Sequence, residues 1–67
     1  YTDLEAVRLQ EAIGQLPPKQ RLTFTLRYYD ELSYEEIAEV TGSTVGNAKV
    51  NYHIAKTKIK EYFKNNN

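Results

Sequence analysis

The stretch SYEEIAEVTGSTVGNAKV, residues 33–50, contains the start and stop signals of two consecutive helices. Ser33 followed by Glu36 matches a capping box, in which two side chains satisfy free amides at the start of a helix. Gly42 can adopt the left-handed conformation that ends a helix, and Thr44 can cap the helix that follows. We therefore predict two helices joined by a turn of three or four residues.

Small side chains around this turn distinguish a particular motif from other pairs of helices. Ala38 lies four residues before Gly42, where a bulkier side chain would hold two crossing helices apart. Gly42 provides the sharp turn, and Val45 and Ala48 fill the space beneath the second helix. Together with Ile37 on the inner face, this pattern indicates a helix-turn-helix.

Two further helices precede this motif. Thr2 and Glu5 match a second capping box, which opens a helix from about Asp3 to Gln15. The run Leu16-Pro17-Pro18 ends it, because proline disfavours a helical residue before it. Pro18 then begins a helix that reaches about Tyr29, since its missing amide costs nothing at a first helical position.

Apolar residues recur at helical spacing in all four segments, which predicts one inner face for each. The second helix is apolar on two sides, so we expect it to be sandwiched between neighbours. Residues 65–67 are expected to fray. The positions expected to be buried are Ala6, Leu9, Ile13 and Leu16; Leu22, Leu26 and Tyr29 with Phe24 and Tyr28; Ile37, Ala38 and Val40; and Val45, Ala48, Tyr52, Ala55, Ile59 and Tyr62.

Length and composition exclude several functional classes. Sixty-seven residues form one domain at most, and the absence of cysteine removes disulfides and thiolate metal ligands. One histidine cannot form a metal site by itself, and no apolar run is long enough to cross a membrane. No partnered nucleophile, carboxylate pair or glycine-rich phosphate loop is present, so neither an enzyme nor a small-molecule ligand is predicted. Because the chain begins at Tyr1, we expect residues 1–67 to be a single domain of a longer protein.

The net charge is zero, but its distribution is uneven. Residues 1–39 contain four basic and eight acidic residues, a net charge of −4. Residues 40–67 contain five lysines against Glu61 alone, a net charge of +4. Attraction to phosphate is local, since it is screened beyond roughly 10 Å at moderate salt. The basic end is compatible with nucleic-acid binding and equally with an ordinary solvated helix.

The outward face of the fourth helix carries the candidate binding residues. At ~100° per residue, this face shows Gly46, Asn47, Val50, His53, Ile54 and Thr57, with Lys49 and Lys56 on one flank and Asn51 on the other. If the helix enters the major groove of DNA, Asn47 and Asn51 suit adenine and Val50 suits a thymine methyl. Lys49 can reach a guanine edge or a phosphate. Thr44, with the free amides at the helix start, can bind a phosphate.

Plainer interpretations stay open for the same residues. Asn47 also fits as an ordinary polar residue of a first turn, and His53 as a surface side chain. Val50 and Ile54 are apolar on an outward face, which also fits a protein interface.

Several motifs together resemble a known family. The run Leu-Pro-Pro-Lys-Gln-Arg at 16–21, Leu-Arg-Tyr-Tyr at 26–29 and Leu-Ser-Tyr-Glu-Glu-Ile-Ala-Glu at 32–39 resemble the C-terminal domain, region 4, of extracytoplasmic-function sigma factors. Thr-Val-Gly-Asn-Ala-Lys at 44–49 resembles the family's Ser-Val-Gly-Thr-Val-Lys. The resemblance covers about residues 4–63. Asn51-Tyr52-His53 resembles Bacteroidetes members of this family.

The resemblance implies an all-α fold: a four-helix domain with a C-terminal helix-turn-helix, of the winged-helix-like DNA-binding superfamily without a wing. It implies a cytoplasmic, nucleoid-associated bacterial protein that directs transcription initiation by binding the minus-35 promoter element. Its implied partners are promoter DNA, the beta flap of the RNA polymerase core and an anti-sigma factor. From the helix face and the resemblance together, the residues predicted to read bases are Asn47, Lys49, Val50 and His53, and those predicted to contact phosphates or flank the site are Lys19, Arg21, Thr44, Gly46, Asn51, Lys56 and Thr57.

One departure from the family pattern affects the expected affinity. Many relatives have arginine where this chain has Asn51 and Ile54, and fewer positive charges weaken phosphate attraction. A protein-interaction module with little DNA reading is therefore a second hypothesis. The DNA-binding domain of a response regulator, which shares the four-helix layout, is a third.

Overall fold

The structure, a computed structural model, describes residues 4–65, which form four helices and no strand. Helix α1 spans Leu4–Gly14, α2 spans Pro18–Tyr28, α3 spans Tyr34–Thr41 and α4 spans Val45–Asn65. The predicted all-α fold is therefore confirmed. None of the described helices is long and apolar enough to cross a membrane. Thr2 of the predicted Thr2–Glu5 capping box, the predicted helix start at Asp3 and residues 66–67 of the predicted frayed end lie outside the described residues.

The helix ends lie close to the predicted positions because local chemistry determines them. Pro18 begins α2 at its first turn. The capping box of α3 is complete: the Glu36 amide donates to Ser33 Oγ at 3.1 Å, and the Ser33 amide donates to Glu36 Oε1 at 2.8 Å. The bond from the Ser33 backbone, and then the contact with the Ser33 side chain, lower the pKa of the Glu36 carboxyl. Gly42 ends α3 in the left-handed conformation, with φ of 69°.

The connection between α2 and α3 contains a second left-handed residue, which is not a glycine. Glu31 has φ of 54°, and the Leu32 amide just after it donates to the Leu26 carbonyl at 3.1 Å. A side chain with a Cβ atom is disfavoured in this conformation, whereas glycine adopts it readily. The turn is therefore held in place at some cost in conformational energy.

A Glu31→Gly variant is expected to be more stable than the parent by about 0.5–1 kcal/mol, because glycine relieves the backbone strain. Chemical denaturation followed by circular dichroism measures this change. Glu35→Gly is the matched control, since Glu35 lies in the first turn of α3. The control should lose stability; a gain of equal size in both variants would contradict the strain argument.

Helix α4 packs against each of the other three helices and carries the centre of the core. The main cluster joins α1, α2 and α4, and Leu9, Tyr52, Tyr62 and Phe63 pack around it half-buried. A second buried set, from α3 and α4, lies at the helix-turn-helix. The main cluster consists of Ala12, Ile13, Leu16, Phe24, Ala55 and Ile59, and the second set of Ile37, Ala38 and Ala48.

Several residues predicted to be buried are exposed. Leu22, Tyr28 and Tyr29 are each more than 40% exposed, so the prediction of an α2 covered on both sides is wrong for the described residues. Only the side of α2 that carries Thr23 and Phe24 is buried. Val40 is 61% exposed, and Ala6 is exposed as well. In the eight-residue α3 only Ile37 and Ala38 are fully buried, and Val40 lies on the side that faces solvent.

Candidate nucleic-acid interface

Hydrogen bonds fix the turn between α3 and α4. The Ser43 amide donates to the Ala38 carbonyl at 2.9 Å, which closes the end of α3 around Gly42. The Thr41 hydroxyl donates to the Ile37 carbonyl and also lies 2.8 Å from the Ser43 hydroxyl. With Ala38 and Ala48 buried between the helices, these bonds set the angle at which α4 leaves the turn. The predicted helix-turn-helix, with Val45 half-buried beneath it, is therefore present.

Thr44 caps the start of α4, as predicted. Its Oγ1 accepts a hydrogen bond from the Asn47 amide at 3.0 Å, and its carbonyl accepts one from Ala48 at 2.9 Å. The hydroxyl already satisfies the Asn47 amide, and the amides of Thr44, Val45 and Gly46 have no acceptor among residues 4–65.

The first turns of α4 present the predicted reading residues to solvent. Asn47, Lys49, Val50 and His53 are all exposed, and Val50 is 56% exposed despite being apolar. Gly46 and Thr57 share this exposure, and the Thr57 hydroxyl donates to the His53 carbonyl at 3.1 Å. The prediction that Ile54 faces outward is only partly correct, since its side chain is half-buried. Asn51 on the flank is half-buried as well.

Gly46 leaves open space on this face. A Cβ atom added there would meet only Thr44 Oγ1, at an ordinary contact distance of 3.9 Å. Packing within the described domain therefore does not require glycine at this position.

One flank of the face carries a cluster of cations and tyrosine rings, which we call the Tyr34 cluster. The Arg27 guanidinium lies 4.5 Å from the centroid of the Tyr34 ring, and the Lys49 ammonium lies 5.9 Å from the same centroid. Tyr52 meets Tyr34 edge-on at 6.2 Å, and the Lys56 ammonium lies 5.0 Å from the Tyr52 ring. Burial, and then the neighbouring Tyr34, raises the pKa of the Tyr52 hydroxyl.

Sequence reasoning did not select Arg27 and Tyr34, and it assigned Tyr52 only to the apolar face. The sequence did give one indication of Arg27 as a candidate: it is a basic residue in the last turn of α2, just before the helix-turn-helix. Lys19 and Arg21 are exposed on the first turn of α2, roughly 9–12 Å along the helix axis from Arg27. The structure therefore does not bring them into the Tyr34 cluster.

An open groove lies at the other end of α4. It is lined by Leu9, Tyr28, Tyr29 and Phe63 together with the first turns of α1, and Gln10 donates to the Tyr29 hydroxyl at 2.8 Å beside it. Phe63 lies 16 residues after Asn47 in the same helix, which is about 24 Å along its axis. The groove and the outward face of the first turns are therefore separate surfaces.

Comparison with known proteins matches the sequence of this chain to one family. Residues 6–59 match the family described as Sigma-70, region 4. The chain is 36% identical over 53 residues to RNA polymerase sigma-E factor of Streptomyces antibioticus, a match covering 79% of this chain and 29% of the relative. It is also 36% identical over 53 residues to ECF RNA polymerase sigma factor SigW of Bacillus subtilis (79% and 28%), and over 47 residues to sigma factor SigV of the same organism (70% and 28%).

The chain spans less than a third of the length of these curated relatives. No solved structure matches it significantly. The family match nevertheless covers most of the chain, including all of α2 and α3 and the exposed first turns of α4. The chain therefore belongs to the sigma-70 region 4 family.

Proposed function

We propose that this domain binds the minus-35 element of a bacterial promoter through α4 and so directs transcription initiation as part of a longer sigma factor. The observation that carries the proposal is the exposed face of Asn47, Val50 and His53 on a helix whose start is capped by Thr44 and fixed by the helix-turn-helix. A helix presented in this way enters the major groove with its N-terminal residues against base edges.

Each residue on this face has a role that its chemistry supports. The Asn47 side-chain amide can make paired hydrogen bonds to adenine, and Val50 can contact a thymine methyl group. His53 lies one turn further along and can donate to a base acceptor. Gly46, the Thr44 cap and Thr57 would border the groove, where backbone phosphates approach the helix.

We further propose that the groove at the other end of α4 docks a protein partner. The exposed Tyr28 and Tyr29 lie in this groove with the half-buried Leu9 and Phe63, and an exposed patch of this kind is typical of a protein interface. The RNA polymerase core, through its beta flap, and an anti-sigma factor are the partners proposed here, which would place the protein in the bacterial cytoplasm. Because Phe63 in the groove lies about 24 Å from Asn47 along α4, we expect DNA and polymerase to bind at the same time.

The test is selection from a pool of DNA duplexes with a randomised central segment, using the intact protein that carries this domain, assembled with polymerase core. We expect one recurrent short sequence to be enriched, and we expect enrichment to fall as salt increases. A pool that stays random, while core binding persists, would favour the second candidate, a protein-interaction module. That candidate draws support from the apolar Val50 on the exposed face.

A Gly46→Ala variant is expected to separate stability from DNA binding. Alanine at an open helical position should stabilise the domain by roughly 0.5–1 kcal/mol. The added methyl group would also occupy the space where a DNA backbone approaches, so affinity for the selected duplex should fall several-fold. Titration of labelled duplex and denaturant melts measure the two effects.

Gly14→Ala is the matched control, since Gly14 also has open space around its Cβ position but lies at the end of α1. It should leave DNA affinity unchanged. If Gly46→Ala bound DNA as tightly as the parent, close approach of DNA at this position would be refuted.

A further inference from the structure

The Tyr34 cluster places three cations along one edge of the proposed DNA surface. Arg27 comes from the end of α2, while Lys49 and Lys56 lie two turns apart on α4. Among residues 4–65, none of the three pairs with an acidic side chain; each lies over a tyrosine ring instead. Positive charges held together without a counter-ion attract an external anion.

The direction of the Lys49 side chain matters for the anion that it meets. Lys49 is turned about 100° around α4 from Val50, the apolar residue of the exposed face. Its ammonium lies over Tyr34, the first residue of α3, so the side chain extends toward α3. In a helix-turn-helix the first helix crosses the DNA backbone, whereas the second enters the groove. A side chain that extends from the second helix toward the first therefore approaches phosphates.

Arg27 is held in a matching position. Its Nη1 donates to the Leu32 carbonyl at 2.9 Å, and its guanidinium lies on the Tyr34 ring. Because the guanidinium group is planar and rigid, these two contacts fix the direction in which its other N–H groups point. Tyr34 thus connects a cation from α2 to a cation from α4.

We propose that Arg27, Lys49 and Lys56 bind phosphates of one DNA strand, and that Tyr34 is the positioning residue for Arg27 and Lys49. Lys49 then sets the register of the protein on DNA and does not read a base, which differs from the role that the sequence suggests. Base reading is left to Asn47, Val50 and His53. This inference rests on the proposed function and specifies which part of the DNA each residue contacts.

The experiment compares Lys49→Gln with the parent, both as the intact protein, on the duplex selected from the randomised pool and on a scrambled duplex. We expect affinity for both duplexes to fall about five- to ten-fold at 0.1 M salt. The slope of log affinity against log salt should become shallower by about 0.9, the value for one phosphate contact. The enriched sequence should stay the same. Lys58→Gln, which removes a charge from an exposed lysine without a tyrosine contact, is the control and should leave the slope unchanged.

Two results would overturn the assignment of Lys49. Loss of preference at one base position with an unchanged salt slope would make Lys49 a base reader. No change in affinity, slope or enriched sequence would remove it from the interface. These results can be distinguished from a failure of the proposed function, because in that case the parent protein itself would enrich no sequence.

The positioning role of Tyr34 is tested with two further variants. Tyr34→Phe keeps the ring and should retain the salt slope and the affinity of the parent. Tyr34→Leu removes the ring face and should weaken binding to both duplexes about two- to five-fold, the amount expected for an exposed cation–ring contact. Denaturant melts of both variants separate this effect from a loss of folding. If Leu and Phe behaved alike in folded protein, the positioning role would be wrong.

Discussion

An Ile37→Ala variant is expected to lose about 2–5 kcal/mol of unfolding free energy, the largest stability effect that we expect from a single truncation here. Ile37 is completely buried, the largest side chain in the described domain of which this is true. It also anchors α3, a helix of only eight residues. A domain of this size rarely has more than about 3–5 kcal/mol in total, so much of the population should unfold. Thermal and urea melts followed by far-ultraviolet circular dichroism measure the loss.

Val40→Ala is the matched control for this change. Val40 lies in the same helix, three residues later, and is 61% exposed. Its truncation should change stability by less than about 0.5 kcal/mol, as at other surface positions. A loss in Ile37→Ala no larger than that in Val40→Ala would contradict the argument that burial of Ile37 holds α3 in place.

The helix ends could be predicted from the sequence because each depends on a few neighbouring residues. Ser33 and Glu36 satisfy each other's amides, and Gly42 and Pro18 impose backbone conformations that few other residues share. These interactions need no knowledge of the rest of the fold. The helix-turn-helix was predictable for the same reason, since its small residues surround a single turn.

The buried face of α2 could not be predicted in this way. Its apolar residues occupy two sides, and periodicity alone does not say which side meets α4. Phe24 is buried and stacks on Tyr52 of α4, whereas Leu22 remains 44% exposed. The choice depends on how α2 crosses α4, which involves residues about 30 positions apart.

The Tyr34 cluster escaped prediction for a related reason. Arg27, Tyr34 and Lys49 come from three helices, and no spacing within one helix brings them together. The face of α4 predicts Lys49 as a DNA contact, but the direction of its side chain depends on where α3 places the Tyr34 ring. Tertiary contacts therefore change the proposed role of a residue whose position was already known.

A Val50→Asp variant is expected to lose promoter binding by a factor of about a hundred or more, because like charges brought together at an interface cost several kcal/mol. Val50 lies on the exposed face of α4 that the proposal places against DNA, so a carboxylate there would face the phosphates. The folded domain should tolerate the change, since the valine is 56% exposed. Titration of the selected duplex, on protein shown to be folded by circular dichroism, measures the loss.

Val40→Asp makes the same chemical change at an exposed valine of α3, outside the proposed interface. It alters the net charge by the same amount, so a difference in DNA affinity between the two variants, both shown to be folded by circular dichroism, reports contact with DNA and not charge alone. We expect Val40→Asp to bind within about three-fold of the parent, since exposed charges further away are screened. If Val50→Asp instead kept its promoter affinity and lost a protein complex, the exposed face of α4 would be a protein interface. The same substitution therefore decides between the two functions that the apolar Val50 leaves open.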